Sequence, residues 1–206
     1  SADSHVLEPS EIYVERMAPE YRDRAPRVVR NPGDREGEFW TFEERPLVTA
    51  VEGFFAGPSR DSYDEIAEHL RTARYEDRLP GSYDPAARLK DMEKDGTDAE
   101  VMYPTYPLGL FTVEDGGLQR DLFRVYNDWL AEFCAYAPKQ LVGLGLVSIW
   151  DVEAAVLEVR RCAKMGLKGV VIVAYPPEEL GYNQRMYDPL WAEAEANGTP
   201  ISLHAF

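Results

Sequence analysis

Short apolar runs recur at near-even intervals through the second half of the chain. Segments 141–149 (LVGLGLVSI), 169–175 (GVVIVAY) and 200–206 (PISLHAF) have strand length and are apolar almost throughout. Their starts lie 28 and 31 residues apart (169 − 141 and 200 − 169), about one βα unit. Between the first two runs the period becomes helical. Asp151 stands in cap position, and Val152, Val156, Val159 and Ala163 share one face. Asp188-Pro189 opens the next predicted helix with a cap and an N1 proline. Apolar strands alternating with helices predict a parallel sheet covered on both faces.

Glycines punctuate this rhythm. Asp95-Gly96-Thr97, Met165-Gly166-Leu167 and Asn197-Gly198-Thr199 each place a glycine where a helix must finish with positive φ. Earlier in the chain, Asp84-Pro85 opens a helix with Leu89 and Met92 on its core side, and strand 99–105 (AEVMYPT) follows Gly96. A long helix over about 118–136 carries the stripe Leu118, Leu122, Val125, Trp129 and Phe133, spaced 4, 3, 4 and 4. With an opening strand at 2–6, the reading is five strands and four intervening helices.

Residues 7–81 break the pattern. They are rich in charge, proline and aromatics, and contain a possible hairpin of 38–43 with 47–51 around Arg45-Pro46. An insertion after the first strand of a βα protein sits over the carboxyl ends of the strands, as a lid or a subunit contact; a surface excursion without a role is the alternative. His69 falls in a polar helical stretch, 63–78, and reads as a solvated helix residue.

Composition narrows the partners. The 206 residues hold 37 Asp plus Glu against 22 Lys plus Arg, a net charge of −15. Phosphate binding needs a basic stripe, so no nucleic acid is expected. No apolar run approaches the ~18–20 residues that span a bilayer. Residues 1–10 carry Asp3, His5 and Glu8 where a secretory signal has a basic start and an apolar stretch. The expectation is a soluble, cytoplasmic protein acting on a small molecule. Cys134 and Cys162 lie in helical segments and read as buried free thiols in preference to a disulfide.

Three histidines exist, and His5 and His204 fall at the carboxyl ends of predicted strands. In a parallel α/β barrel that end carries the active site. A strand repeats every two residues, so Asp3 and His5 point to the same side. One carboxylate and two imidazoles suit a Zn²⁺-type divalent ion; hydrogen-bonded histidines with no metal role are the alternative. No lysine ends the fourth strand, where a carboxylated lysine would bridge two metals, and Lys168 sits at the other end. One metal is therefore expected. Tyr103, Trp150 and Tyr175 follow or end strands and are candidate substrate-binding residues for a flat ligand, or boundary packing. Phosphate-loop, dinucleotide and nucleophile-elbow motifs are absent.

Together these motifs resemble the amidohydrolase-2 family, whose relatives include aminocarboxymuconate semialdehyde decarboxylases. The resemblance rests on Asp3-Ser4-His5-Val6 with Glu8-Pro9, Tyr83-Asp84-Pro85 through Met92, Tyr126-Asn127-Asp128-Trp129, Gly166-Leu167-Lys168-Gly169, Tyr187-Asp188-Pro189-Leu190-Trp191 and Pro200-Ile201-Ser202-Leu203-His204. It covers most of the chain outside much of 10–80. It implies a (β/α)₈ TIM barrel of the metal-dependent hydrolase type, one divalent metal (zinc, with manganese second) held by Asp3, His5 and His204, and a homodimer. It also implies a catalytic His and an Asp ligand from later strands, which lie beyond Phe206. Residues 1–206 then read as the N-terminal part of a single barrel domain: five strands, an insertion over about 7–81 and βα repeats over about 82–206. The expected activity is metal-dependent hydrolysis of a carbonyl-type bond. Non-oxidative decarboxylation of an aromatic or semialdehyde acid is second, and a metal-free binding or assembly barrel third. Arg16, Arg22 and Arg45 are candidate cations for a substrate carboxylate.

Overall fold

The computed structural model of the chain describes residues 1–43, 45–50 and 63–205. In chain order its elements are β1 (Ser4–His5), α1 (Ile12–Arg16), β2 (Arg27–Arg30), β3 (Glu38–Phe42), β4 (Arg45–Thr49), α2 (Tyr63–Thr72), α3 (Pro85–Asp95), β5 (Glu100–Tyr103), α4 (Gly116–Ala135), β6 (Leu141–Leu146), α5 (Val152–Met165), β7 (Gly169–Val173), α6 (Asp188–Asn197) and β8 (Ile201–His204). Five strands pair in the order β1-β5-β6-β7-β8, every pair parallel. They form part of an α/β barrel wall. A second sheet, β2-β3-β4, is antiparallel and lies wholly within the insertion.

The helix boundaries follow the sequence logic. The carboxylates of Asp84 and Asp151 accept from the amides of Ala87 and Ala154, at 2.7 and 3.0 Å, and cap α3 and α5. Asp115 does the same for α4 through Leu118, at 3.1 Å. Such caps each contribute about 1 kcal/mol. Gly96, Gly166 and Gly198 close α3, α5 and α6 with φ of 69°, 96° and 60°. Asp188 departs from expectation: a tight turn over Arg185–Tyr187 runs into α6, so Tyr187 takes the cap position and Asp188 is already helical. The α4 stripe of Leu118, Leu122, Val125, Trp129 and Phe133 is buried, as predicted, and both cysteines are free and buried.

The register places the barrel interior. His5 pairs with Tyr103, Leu144 with Gly169, Leu146 with Val171, Val171 with Ser202 and Val173 with His204. Paired residues share a face, and so do residues two apart. Asp3, His5, Tyr103, Ser202 and His204 therefore all look inward. Gly143 and Gly145 look outward: a Cβ on Gly145 would lie 2.6 Å from Cys162 Sγ of α5 and 3.2 Å from Asn127 Oδ1 of α4. The glycines let those helices sit directly on the sheet. In a flat sheet four strand spacings of ~4.8 Å would hold β1 and β8 about 19 Å apart. The ring centroids of His5 and His204 are 5.7 Å apart. The sheet is curled strongly enough that its two edges face each other across the interior.

The insertion packs beside the carboxyl end of β1 and β5. Trp40 of β3 stacks on Tyr106, which follows β5, at 4.0 Å between centroids, with Tyr13 and Tyr75 edge-on to the indole. The predicted hairpin is present, but its turn precedes Arg45-Pro46: both residues lie in β4, with Arg45 paired to Phe42 and Pro46 to Thr41, and Val51 falls outside the described residues. Strand β2 was not anticipated; its sequence, Arg-Val-Val-Arg, has only two apolar residues and no alternation to betray it. His69 is half-buried on α2, where a solvated position was expected.

The close approach at Gly145 is directly testable. Gly145→Ala forces Cys162 or the Asn127 amide to move and is expected to lower stability by about 1–3 kcal/mol, the usual range for overpacking. An unchanged urea midpoint would show that the helices are not held this tightly.

Candidate metal centre

The inward row ends at a cluster of donors. Asp3, His5 and His204 each offer one ligand atom, and these atoms all lie within 4.8 Å of one another. Among the described residues this is the one group of three or more such side chains that converges so closely. Asp3 Oδ1 lies 3.5 Å from His5 Nε2, with the His5 side chain 38% exposed. The cluster is assembled from opposite edges of the sheet, β1 and β8.

Hydrogen bonds fix which ring atoms face the centre. His5 Nδ1 lies 2.7 Å from the Pro104 carbonyl. A carbonyl can only accept, so Nδ1 carries the proton and the Nε2 lone pair is left for the site. His204 Nδ1 likewise bonds the Ala205 carbonyl. Burial holds the His5 pKa below its usual value. The Pro104 bond and Asp3 pull it back up, and His204 adds to the lowering. Metal ligation requires the neutral imidazole, so this bias favours the ligating form. The donor set, one carboxylate oxygen and two imidazole nitrogens, fits a divalent ion such as manganese or zinc.

Tyr103 belongs to the same space. Its ring lies 5.1 Å from that of His204 and 6.0 Å from that of His5, and its hydroxyl pairs with Ser202 Oγ at 2.9 Å. Trp150 and Tyr175 sit on the loops that leave β6 and β7. The Trp150 indole N–H donates to the Val113 carbonyl at 3.1 Å, which ties it to the segment entering α4. Tyr175 is 81% exposed. Arg16 pairs with Glu132 at 3.0 Å, and Arg22 donates to the Met17 carbonyl at 3.3 Å, so both have local partners. Burial pushes the Cys134 thiol up to about 12, and that of Cys162 higher still, which rules them poor nucleophiles.

One participant escaped residue-by-residue reading. Glu8 is fully buried, three residues past His5. Its Oε1 accepts from the Thr105 amide at 3.0 Å and its Oε2 from the Tyr106 amide at 3.3 Å, while its own carbonyl accepts from the Tyr75 hydroxyl at 2.5 Å. The available signal was a carboxylate set between Val6-Leu7 and Pro9, an acidic residue in a stretch otherwise fit for burial.

A family model described as Amidohydrolase matches residues 18–206. The chain belongs to the amidohydrolase family. The matched span includes His204 and begins after Asp3 and His5, whose placement rests on the geometry above. A gamma-resorcylate decarboxylase from Rhizobium radiobacter is 28% identical over 123 residues, covering 57% of this chain and 37% of that enzyme. The chain thus spans well under half the length of that curated relative. A crystal structure of an amidohydrolase from Mycobacterium avium subsp. paratuberculosis superposes with a TM-score of 0.74 at 21% identity, covering all of this chain and 58% of the other. A dihydroxybenzoic acid decarboxylase from Polaromonas sp. JS666, solved with bound manganese and the inhibitor 2-nitroresorcinol, gives 0.53 at 22%, covering 77% and 46%. The amidohydrolase fold explains the curled five-stranded wall.

Glu8 leads to a pH prediction. Burial raises its pKa from 4.5 to about 7, against the pull of its own amide, those of Thr105 and Tyr106, and the Arg78 charge. Between those values the folded chain keeps a proton that the unfolded chain has lost, so stability falls as pH rises through that window. From about pH 5 to about pH 8 the wild type is expected to lose thermal stability relative to Glu8→Gln, which has no such proton. Parallel midpoint-against-pH curves for the two proteins would contradict the shift.

Proposed function

We propose that this amidohydrolase belongs to a metal-dependent, non-oxidative decarboxylase acting on a small hydroxylated aromatic acid. The carrying observation is the convergence of Asp3, His5 and His204 beside the Tyr103 ring, at the carboxyl-end mouth of the sheet. Curated relatives that it matches are decarboxylases, which favours this reading over hydrolysis, the activity ranked first from sequence.

In this reading Asp3 Oδ1 and the Nε2 atoms of His5 and His204 hold one divalent ion. Manganese is the first to test, because a protein of the same fold was solved with it, and zinc the second. Such an ion supplies positive charge against a substrate carboxylate and a neighbouring oxygen. The chain's own residues then orient the acid. The inward Tyr103 ring gives an aromatic substrate a flat wall, and the Tyr103–Ser202 hydroxyl pair offers a hydrogen-bonding edge. The lowered His5 pKa keeps that imidazole neutral, so it does not compete with the ion by binding a proton. The net reaction replaces the carboxylate on a ring carbon with a proton and releases CO₂. Trp150 and Tyr175, on neighbouring loops of the same mouth, are proposed as outer substrate contacts.

Hydrolysis uses the same ion to activate water, so the two readings part on product. The full-length protein, loaded with Mn²⁺, is expected to release CO₂ from gamma-resorcylate and to leave activated esters intact. Ester cleavage without CO₂ release would return the assignment to hydrolysis. His5→Ala and His204→Ala are each expected to weaken Mn²⁺ binding beyond the roughly 10–100-fold that loss of an outer partner produces. Unchanged metal content in both variants would remove the metal site.

A further inference from the structure

The contacts of Glu8 and His5 meet on a single peptide group. The Thr105 amide that donates to Glu8 Oε1 at 3.0 Å and the Pro104 carbonyl that accepts from His5 Nδ1 at 2.7 Å are the two ends of the same peptide unit. The order of atoms is Glu8 carboxylate, Thr105 N–H, Pro104 C=O, His5 Nδ1–H, and then the His5 Nε2 lone pair.

We infer that Glu8 is a positioning residue for His5, acting through the Pro104–Thr105 peptide to keep the imidazole proton on Nδ1 and Nε2 presented to the metal. The inference rests on the reading of His5 as a ligand. Metal-bound histidines commonly pass their second N–H to a carboxylate or a carbonyl. Here the two are joined in series. A hydrogen bond at one end of a peptide polarises it and strengthens the bond at the other.

Three further observations tie the relay to its place. Glu8 Oε2 takes the next amide, that of Tyr106, at 3.3 Å, so both carboxylate oxygens grip the turn that leaves β5. The Thr105 hydroxyl donates to the Val6 carbonyl at 2.7 Å, which fixes the same turn to the strand carrying His5. The Tyr75 hydroxyl, at 2.5 Å from the Glu8 carbonyl, holds the Glu8 backbone from the insertion side. A buried carboxyl with amide donors on both oxygens is a costly way to fasten a turn.

The chain has three histidines, which keeps its imidazole spectrum simple to assign. Long-range ¹H–¹⁵N spectra of the metal-free, full-length protein at about pH 8 report the tautomer of each ring. The wild type is expected to show the His5 proton on Nδ1. Glu8→Gln is expected to shift His5 toward the Nε2–H tautomer and to weaken Mn²⁺ binding by roughly 10–100-fold. Tyr75→Phe removes a bond to the same segment but not the relay; it should lower the thermal midpoint while leaving both readouts in place.

A His5 proton on Nε2 in the wild type overturns the relay, and this reading needs no variant to fold. Unchanged tautomer and affinity in Glu8→Gln, or an equal change in Tyr75→Phe, overturns it as well. Unchanged Mn²⁺ affinity in His5→Ala overturns the ligand assignment itself, and with it the metal half of this inference. That failure is distinct from a relay that does not control the tautomer.

Discussion

The curl of the five-stranded sheet is the constraint on which the rest depends. Asp3 and His5 enter on one edge strand and His204 on the other, four strand spacings away along the sheet. Their donor atoms come within 4.8 Å only because inward-facing residues of opposite edges meet across the barrel interior. The same curl brings the Tyr103 hydroxyl to Ser202, on β8. Outside the curl, helices lie directly against the sheet at Gly143 and Gly145, and Asn127 joins them to β6. The Asn127 side chain bonds both the amide and the carbonyl of Leu146, at 2.6 and 2.9 Å. That amide group completes the backbone hydrogen bonding of Leu146, where β6 ends.

The βα half of the fold was legible because its signals are local. Gly96, Gly166 and Gly198 mark helix ends by a backbone conformation that other residues disfavour, and Asp84 and Asp151 mark helix starts by bonds three residues away. The period-two spacing of Asp3 and His5 and the strand-end position of His204 sufficed to group them. The insertion was less legible because its stability is not local. Strand β2 exists by pairing with β3, and Trp40, Tyr13, Tyr75 and Tyr106 form one aromatic cluster from segments far apart in sequence. No periodicity announces contacts of that kind. Glu8 was hidden for the same reason: its partners, Thr105 and Tyr106, lie nearly 100 residues away.

Around the site the chain accepts local expense for fixed geometry. Glu8 is desolvated, and three tyrosine hydroxyls near it, those of Tyr13, Tyr106 and Tyr126, are buried without a hydrogen-bond partner. Burial, then the Glu8 charge, holds all three phenols well above their usual pKa, so they stay neutral. A buried, largely aromatic surround, with the Arg78 guanidinium over the Tyr75 ring at 4.4 Å, raises the strength of the remaining electrostatic contacts. The Glu8 bonds to the turn after β5 are therefore worth more than the same bonds at the surface.

This arrangement bears on which chemistry the family scaffold performs here. Hydrolysis and decarboxylation can share one ligand set, so Asp3, His5 and His204 do not separate them. They differ in what fills the remaining space: an activated water in one, the oxygens of a planar acid in the other. The Tyr103 ring lies beside both imidazoles, at 49° to that of His204 and 30° to that of His5. Under the proposed reading, such a wall would favour planar, apolar-faced substrates beside the three donors. With both Nδ1 atoms committed to carbonyls, the imidazoles would, under the proposed reading, meet an ion in their ligating orientation with little reorganisation. A preorganised donor set beside an aromatic wall is the feature on which the proposed decarboxylase reading, with a flat substrate and not water completing the coordination, rests.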